Sequence, residues 1–228
     1  MCGRAKLPID YSEIKIKLRF DDRWPAPNLK PSWNVAPTDP MLTAVLDKES
    51  GTRRPVLMQW GLIPFWSKEP KMKFATFNAK AETVTTAASF KEAWKAGGRC
   101  LVVTDGFYEW RKGDKQPFAI TCAGDLTIMA GLWEKWRSPA GEKITSCTVI
   151  TTDANEVLAP LHNRMPVILS PDDWSKWLGE MPAEENELKA LLKPAPADML
   201  TLWPVSKRVG SVKNNDASLS ERIVLTAA

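Results

Sequence analysis

One histidine, His162, and four cysteines, Cys2, Cys100, Cys122 and Cys147, are all the soft metal ligands in this sequence, and no two cysteines stand at Cys-x-x-Cys spacing. That scarcity argues against a zinc site of the usual Cys/His kind, and no metal or other cofactor is expected. Long apolar runs are also absent: no stretch approaches the roughly 18 apolar residues that cross a bilayer. The start, with Arg4, Lys6 and Pro8, lacks the apolar core of a signal peptide. There is no internal repeat and no low-complexity linker. Charge of one sign is not dominant either. Lys plus Arg number 31 against 27 Asp plus Glu, a net +4, so any surface that meets phosphate has to be local rather than global. The expectation is a soluble, cytoplasmic protein in a reducing compartment, where cysteines stay thiols.

What is present is a chain of 228 residues, enough for one sizeable core. Its 18 prolines favour many turns between short elements over a helical bundle. β-Rich runs recur at 41–46, 55–60, 99–104, 117–122, 126–132 and 146–152, and their spacing predicts a curved, mostly antiparallel sheet. Cys100, Cys122 and Cys147 sit inside such runs and read as buried small hydrophobes. Helices are expected after Ser89, which stands three residues before Glu92 as in a capping box, from Pro171 behind Ser170, and across 183–192. Residues 11–20 fit both periods: Ile14, Ile16, Leu18 and Phe20 alternate like a strand, while Tyr11, Ile14 and Leu18 form a helical stripe. The fold class is α+β, a single domain over 1–228.

The chemistry begins at Met1-Cys2-Gly3-Arg4. With Met1 removed, Cys2 carries an α-amine and a thiol on adjacent carbons. An aldehyde condenses with the amine to an imine, the thiol adds to the same carbon, and a five-membered thiazolidine closes. Both groups react near neutral pH, with ordinary pKa values of about 7.7–8.0 and about 8.5. Four further segments stand out: Asn34-Val35-Ala36-Pro37, Asn78-Ala79-Lys80-Ala81-Glu82, Asp105-Gly106-Phe107-Tyr108-Glu109-Trp110, and His162-Asn163-Arg164-Met165-Pro166. Taken singly, Asn34 and Asn78 also fit turn caps, Glu109 a solvent-facing strand position, and His162 a structural histidine.

Taken together, and with Pro64-Phe65-Trp66 and the stretch from Val205 to Asn214, these segments resemble the SOS response-associated peptidase (SRAP) family of abasic-site processing proteins. The likeness runs in matching order from Cys2 to about Asn215, leaving 216–228 as a C-terminal tail. It implies a pseudo-barrel with flanking helices and a basic groove for single-stranded DNA carrying abasic sites. The expected protein is a monomer, nucleoid-associated in a bacterium, with no membrane and no metal. By motif, Cys2 is the nucleophile that forms a covalent thiazolidine crosslink. Asn78 orients the amine or the sugar, Glu109 moves protons around the amine, and His162 protonates the sugar oxygen. Histidine and a desolvated carboxylate are suited to dividing those tasks. Arg4, Asn34, Lys80, Arg164, Lys207, Arg208 and Lys213 are the expected DNA contacts, and Trp66 the residue that stacks on an unpaired base.

Two positions depart from the family pattern. Lys80 stands where arginine is common, replacing a bidentate fork with a point charge. Ser67 stands where some members carry a second tryptophan. Two other functions fit the same residues: a cysteine peptidase that removes Met1 autocatalytically, and a non-covalent sensor of damaged or modified DNA. Lyase activity is a natural companion of the imine stage.

Overall fold

The computed structural model describes residues 2–70, 72, 74–123 and 125–225; Met1, whose removal the chemistry above requires, lies outside them. In chain order the strands are β1 (Ala5–Leu7), β2 (Ser32–Val35), β3 (Pro40–Asp47), β4 (Thr52–Trp60), β5 (Asn78–Lys80) and β6 (Arg99–Thr104). They continue with β7 (Gly106–Trp110), β8 (Pro117–Cys122), β9 (Thr127–Arg137), β10 (Lys143–Asp153), β11 (Arg164–Pro166) and β12 (Leu200–Pro204). The helices are α1 (Tyr11–Leu18), α2 (Lys91–Lys95), α3 (Pro171–Leu178) and α4 (Glu185–Ala190). None is long and apolar enough to cross a membrane.

Long strand β10 organises the first sheet. Its leading half pairs antiparallel with β9 and, on its other side, parallel with β4, so the order β10-β4-β3-β6-β9 returns on itself as a closed barrel. The far half of β10 holds β5 and β11. The second sheet, in the order β12-β8-β7-β1-β2, is antiparallel throughout. Barrel strands are apolar on both faces because each face has a partner. Along β6, Cys100 and Val102 join a cluster that reaches Cys2, Ala5 and Phe107 of the second-sheet side. Leu101 and Val103 join the cluster covered by α1, α2 and α3. The pseudo-barrel with flanking helices is the architecture observed.

Residues 11–18 resolve as helix. Asp10 caps them by accepting from the Ser12 N–H at 2.7 Å, and Arg19 closes them in the left-handed conformation. Ile14 and Leu18 are buried one turn apart, whereas Ile16 is 79% exposed, an outcome the strand reading would not produce. Pro171 starts α3 as expected, and α4 has a capping box built from Glu184 and Glu187. The capping box expected at Ser89 does not form. Phe90 is the N-cap of α2, with no side-chain cap, and Ser89 is buried. The tail expected from 216 begins as packed structure: Ala217–Ser220 form a 3-10 turn whose Leu219 is fully buried. There the Tyr108 hydroxyl donates to the Trp33 carbonyl and meets the Ser220 hydroxyl, each at 2.9 Å.

Gly106 opens the strand that carries Glu109, and the space beside it is closed. A Cβ there would stand 2.5 Å from the Ile120 carbonyl oxygen and 2.7 Å from the Thr121 methyl. Gly106→Ala is therefore expected to prise β7 from β8 at a cost of about 1–3 kcal/mol. Thermal unfolding followed by circular dichroism should show it as a drop of about 2–4 °C per kcal/mol in a domain of this size. An unchanged melting temperature would mean that the strand pair yields without strain.

Candidate active site

Short strand β1 delivers Cys2. Its pairing with β7, Ala5 opposite Phe107, is extended by the Tyr108 N–H, which donates to the Arg4 carbonyl at 2.9 Å. The chain start thus runs back along β7 towards Glu109. Cys2 is fully buried, in one cluster with Trp60, Phe107 and Met165. Burial and the Glu109 carboxylate both push its thiol far above the usual cysteine range, with the Arg4 backbone N–H opposing. The sulfur is a neutral thiol in this setting.

Asn78 comes from the opposite side. It opens β5, which lies parallel to β10 with Asn78 opposite Val149. Its amide Nδ2 donates to the Cys2 carbonyl at 2.6 Å. Its Oδ1 is buried and has no hydrogen-bond partner among the described residues. The preceding residue anchors the strand: the Phe77 carbonyl accepts from the Trp60 indole N–H at 2.8 Å and from the Val149 N–H at 3.0 Å.

Glu109 is 4% exposed, and desolvation raises its carboxyl above the ordinary value. Alternation along β7 divides its aromatic neighbours. Phe107 shares the cluster with Cys2, whereas Tyr108 and Trp110 pack into the separate cluster of Val205, Val209 and Leu219. Only one of the three flanking aromatics therefore sits on the carboxylate's side of the strand.

His162 stands at the end of a turn whose backbone is bracketed by Asn155. That side chain donates to the Ala195 carbonyl at 2.9 Å and accepts from the Leu158 N–H at 3.0 Å. The Arg164 N–H donates to His162 Nδ1 at 3.0 Å, so the neutral ring carries its proton on Nε2. Desolvation lowers the His162 pKa, which keeps the ring neutral at pH 7. Asn155 was not singled out in the sequence; an asparagine between apolar runs has no local mark that separates a bracket from a turn.

The expected DNA contacts fall into two groups. Lys80, Lys207, Lys213 and Trp66 are exposed. Trp66, 47% exposed, is the one exposed tryptophan of eleven; Phe65 and Phe74, each 56% exposed, are exposed aromatics that were not expected as DNA contacts. Its loop is pinned where the Trp136 indole donates to the Ser67 carbonyl at 2.7 Å. The remaining four are engaged within the protein. Asn34, 4% exposed, accepts from the Arg4 guanidinium through its Oδ1 and donates its amide N–H groups to the Ser211 and Asn214 carbonyls. Arg4 also donates to the Val209 carbonyl at 2.6 Å. Arg208 pairs with Asp216 at 2.9 Å. Arg164 forms a two-pronged pair with Glu82 at 2.7 and 2.9 Å and reaches Asp153 at 2.7 Å, bolting the His162 segment to the Asn78 segment.

This arrangement holds the buried Cys2 thiol and the Asn78 amide together, with Glu109 on the strand alongside, and ties the His162 segment to the Asn78 segment through Arg164 and Glu82. The profile of the family described as SOS response associated peptidase (SRAP) matches residues 1–212. The abasic site processing protein YoqW of Bacillus subtilis (strain 168) is 37% identical over 225 residues, covering 97% of this chain and 99% of that protein. The abasic site processing protein HMCES of Xenopus tropicalis is 33% identical over 270 residues, covering 99% of this chain and 79% of its own. A Bordetella bronchiseptica protein of known crystal structure superposes with a TM-score of 0.78 at 26% identity, over 90% of this chain and all of its own. A Bacteroides thetaiotaomicron structure, at 23% identity, shares the fold with a TM-score of 0.83 over 98% of this chain and all of its own. With profile and relatives spanning almost the whole length, and the family's motif segments gathered around Cys2, this chain belongs to the SOS response associated peptidase (SRAP) family.

Proposed function

We propose that this protein processes abasic sites in single-stranded DNA by forming a covalent thiazolidine crosslink through Cys2 once Met1 is removed. The observation that carries the reading is the Asn78 amide on the Cys2 carbonyl at 2.6 Å, which anchors a buried chain start beside Glu109. The relatives named as abasic site processing proteins give the substrate its class.

The steps balance without a redox partner. The Cys2 amine adds to the C1′ aldehyde of the ring-opened sugar, giving a carbinolamine. Glu109 takes the proton released by the nitrogen and passes it to the former carbonyl oxygen, which later leaves as water. During ring opening His162 polarises the sugar ring oxygen by a hydrogen bond from the Nε2–H that its Nδ1 contact leaves as donor, while the proton of the C1′ hydroxyl passes through solvent to that oxygen. The carbinolamine loses water to an imine. The Cys2 thiol then adds across the C=N bond, sulfur to carbon and proton to nitrogen, closing the ring with one water released overall. Asn78 holds the Cys2 main chain in register throughout. Removal of Met1 by the same groups, and β-elimination from the imine, are side activities of this chemistry.

Substrate form follows from access. Extruding the sugar from a duplex costs a few kcal/mol, which a single strand avoids while offering bases to Trp66. Crosslinking should be faster on a single-stranded abasic oligonucleotide than on its duplex. The preceding non-covalent binding should weaken as salt rises, because cations such as Lys80, Lys207 and Lys213 displace counterions. Timed gels on matched substrates at two salt concentrations test both parts. Equal, salt-independent rates would refute the groove and leave Cys2 chemistry standing. Failure of the wild-type protein to gain the mass of an abasic strand would refute the crosslinking itself.

A further inference from the structure

We propose that the turn between β7 and β8 is a phosphate-binding arm of the site, with Lys112 holding a backbone phosphate of the bound single strand next to His162. This rests on the DNA-processing reading and adds a contact point to it.

The turn, residues 111–116, continues directly from the strand that carries Glu109. It is stiff. Arg111 grips Asp114 through Nε at 2.9 Å and Nη2 at 2.5 Å, and its guanidinium lies 5.4 Å above the Phe118 ring. The Arg111 N–H donates to the Gln116 carbonyl at 2.9 Å, and the buried Gln116 amide ties the base of the turn to the Val205 carbonyl at 2.7 Å. Asp114 neutralises Arg111, so the charge the turn presents is that of Lys112 and Lys115. Both are exposed, and neither has a carboxylate at ion-pair distance among the described residues. This sets them apart from Arg4, Arg164 and Arg208, whose donors are already engaged by protein groups.

Lys112 also lies within electrostatic reach of His162. Among the described residues the positive charges that act on that ring are Lys112 and Arg164, and the Arg164 charge is compensated by Glu82 and Asp153. An exposed lysine without a carboxylate partner, on a stiff turn that continues the Glu109 strand and within electrostatic reach of a neutral histidine, suits a phosphodiester lying between them. A lysine acts there as a point charge that tolerates any base sequence.

The test uses the fact that His162 is the sole histidine, so a single imidazole signal in the NMR spectrum reports its titration. In the DNA-free protein, Lys112→Ala should raise the His162 midpoint, because a facing positive charge is lost. Binding is then measured with a single strand carrying a tetrahydrofuran abasic analogue, which has no aldehyde and forms no crosslink. For Lys112→Ala the slope of log affinity against log salt should become shallower by about 0.7, the share of one phosphate contact on a single strand. Lys112→Arg should restore it. An unchanged slope in folded Lys112→Ala protein, with or without the midpoint shift, would overturn the arm. If Lys112→Ala shows the expected slope change on the analogue yet wild-type protein never crosslinks to a true abasic strand, the arm stands and the crosslinking reading fails.

Discussion

Cys2→Ala protein is expected to give no heat-stable adduct with an abasic single strand, where the wild type gives a stoichiometric one. The ring needs nitrogen and sulfur on adjacent carbons, and among the four cysteines only Cys2 can offer both. Cys100 and Cys147 are fully buried within the barrel and have no free amine beside them. Alanine deletes the sulfur and little else. The Asn78 hydrogen bond ends on the main-chain carbonyl of residue 2, so it survives the substitution. The chain start should therefore keep its place, and non-covalent binding should persist. Cys2→Ser should reach the imine and then stall, leaving a bond that heat or acid reverses. Intact-mass spectra recorded before and after heating separate these outcomes. An undiminished adduct in Cys2→Ala protein would move the ring-forming role to another residue and end the mechanism proposed here.

The second large effect concerns Glu109 and His162. Glu109→Ala and His162→Ala should each slow adduct formation by about 10²–10⁴-fold, the usual contribution of a positioned acid or base. DNA binding and folding should change far less. Single-turnover crosslinking rates, alongside affinities measured on the uncrosslinkable analogue, give the required pair of numbers. Glu109→Gln is the more discriminating variant, since it retains the shape of a side chain that is only 4% exposed and removes its capacity to take a proton. The pH dependence has a definite sign. His162 is held below its ordinary pKa, so it stays a neutral Nε2–H donor well into mildly acidic solution. Glu109, raised by burial, takes up a proton earlier on acidification than an exposed glutamate. Rate should fall as pH drops through the raised Glu109 pKa, because a carboxyl already protonated no longer accepts from the amine. Glu109→Gln should flatten that limb. Joint loss of folding, binding and rate in these variants would make both residues structural.

Local pattern revealed the long elements and concealed the short ones. The runs at 99–104 and 117–122 coincide with β6 and β8, and those near 41–46 and 55–60 lie within β3 and β4. These strands are six or more residues long and built from β-branched and apolar residues, so composition alone marks them. The site is carried by β1, β5 and β11, of three residues each, and by β7, of five. Three residues contain no readable period, and each of these strands exists because a neighbour offers hydrogen bonds: β5 and β11 on the flank of β10, β1 between β2 and β7. The capping box at Ser89 is the opposite case, a local signal present in the sequence and overridden by the burial of that serine.

The candidate site divides along the same line. The reactive inventory follows from residue identity and order: an aminothiol precursor at Cys2, a lone histidine, and a glutamate set among aromatics. So does family membership, since motif order along the chain is a one-dimensional property. Identity does not say which groups meet, or in what protonation state. The Asn78–Cys2 bond, the proton on His162 Nε2, the raised Glu109 carboxyl and the choice between free and engaged cations each depend on partners far away in sequence. Arg164 and Lys80 look alike as basic residues in motif segments. Packing places Glu82 and Asp153 against one and leaves the other exposed. Desolvation and hydrogen-bond geometry fall off within a few ångströms, so they are fixed by the contacts made when distant segments close on one another, and no local window of the chain contains them.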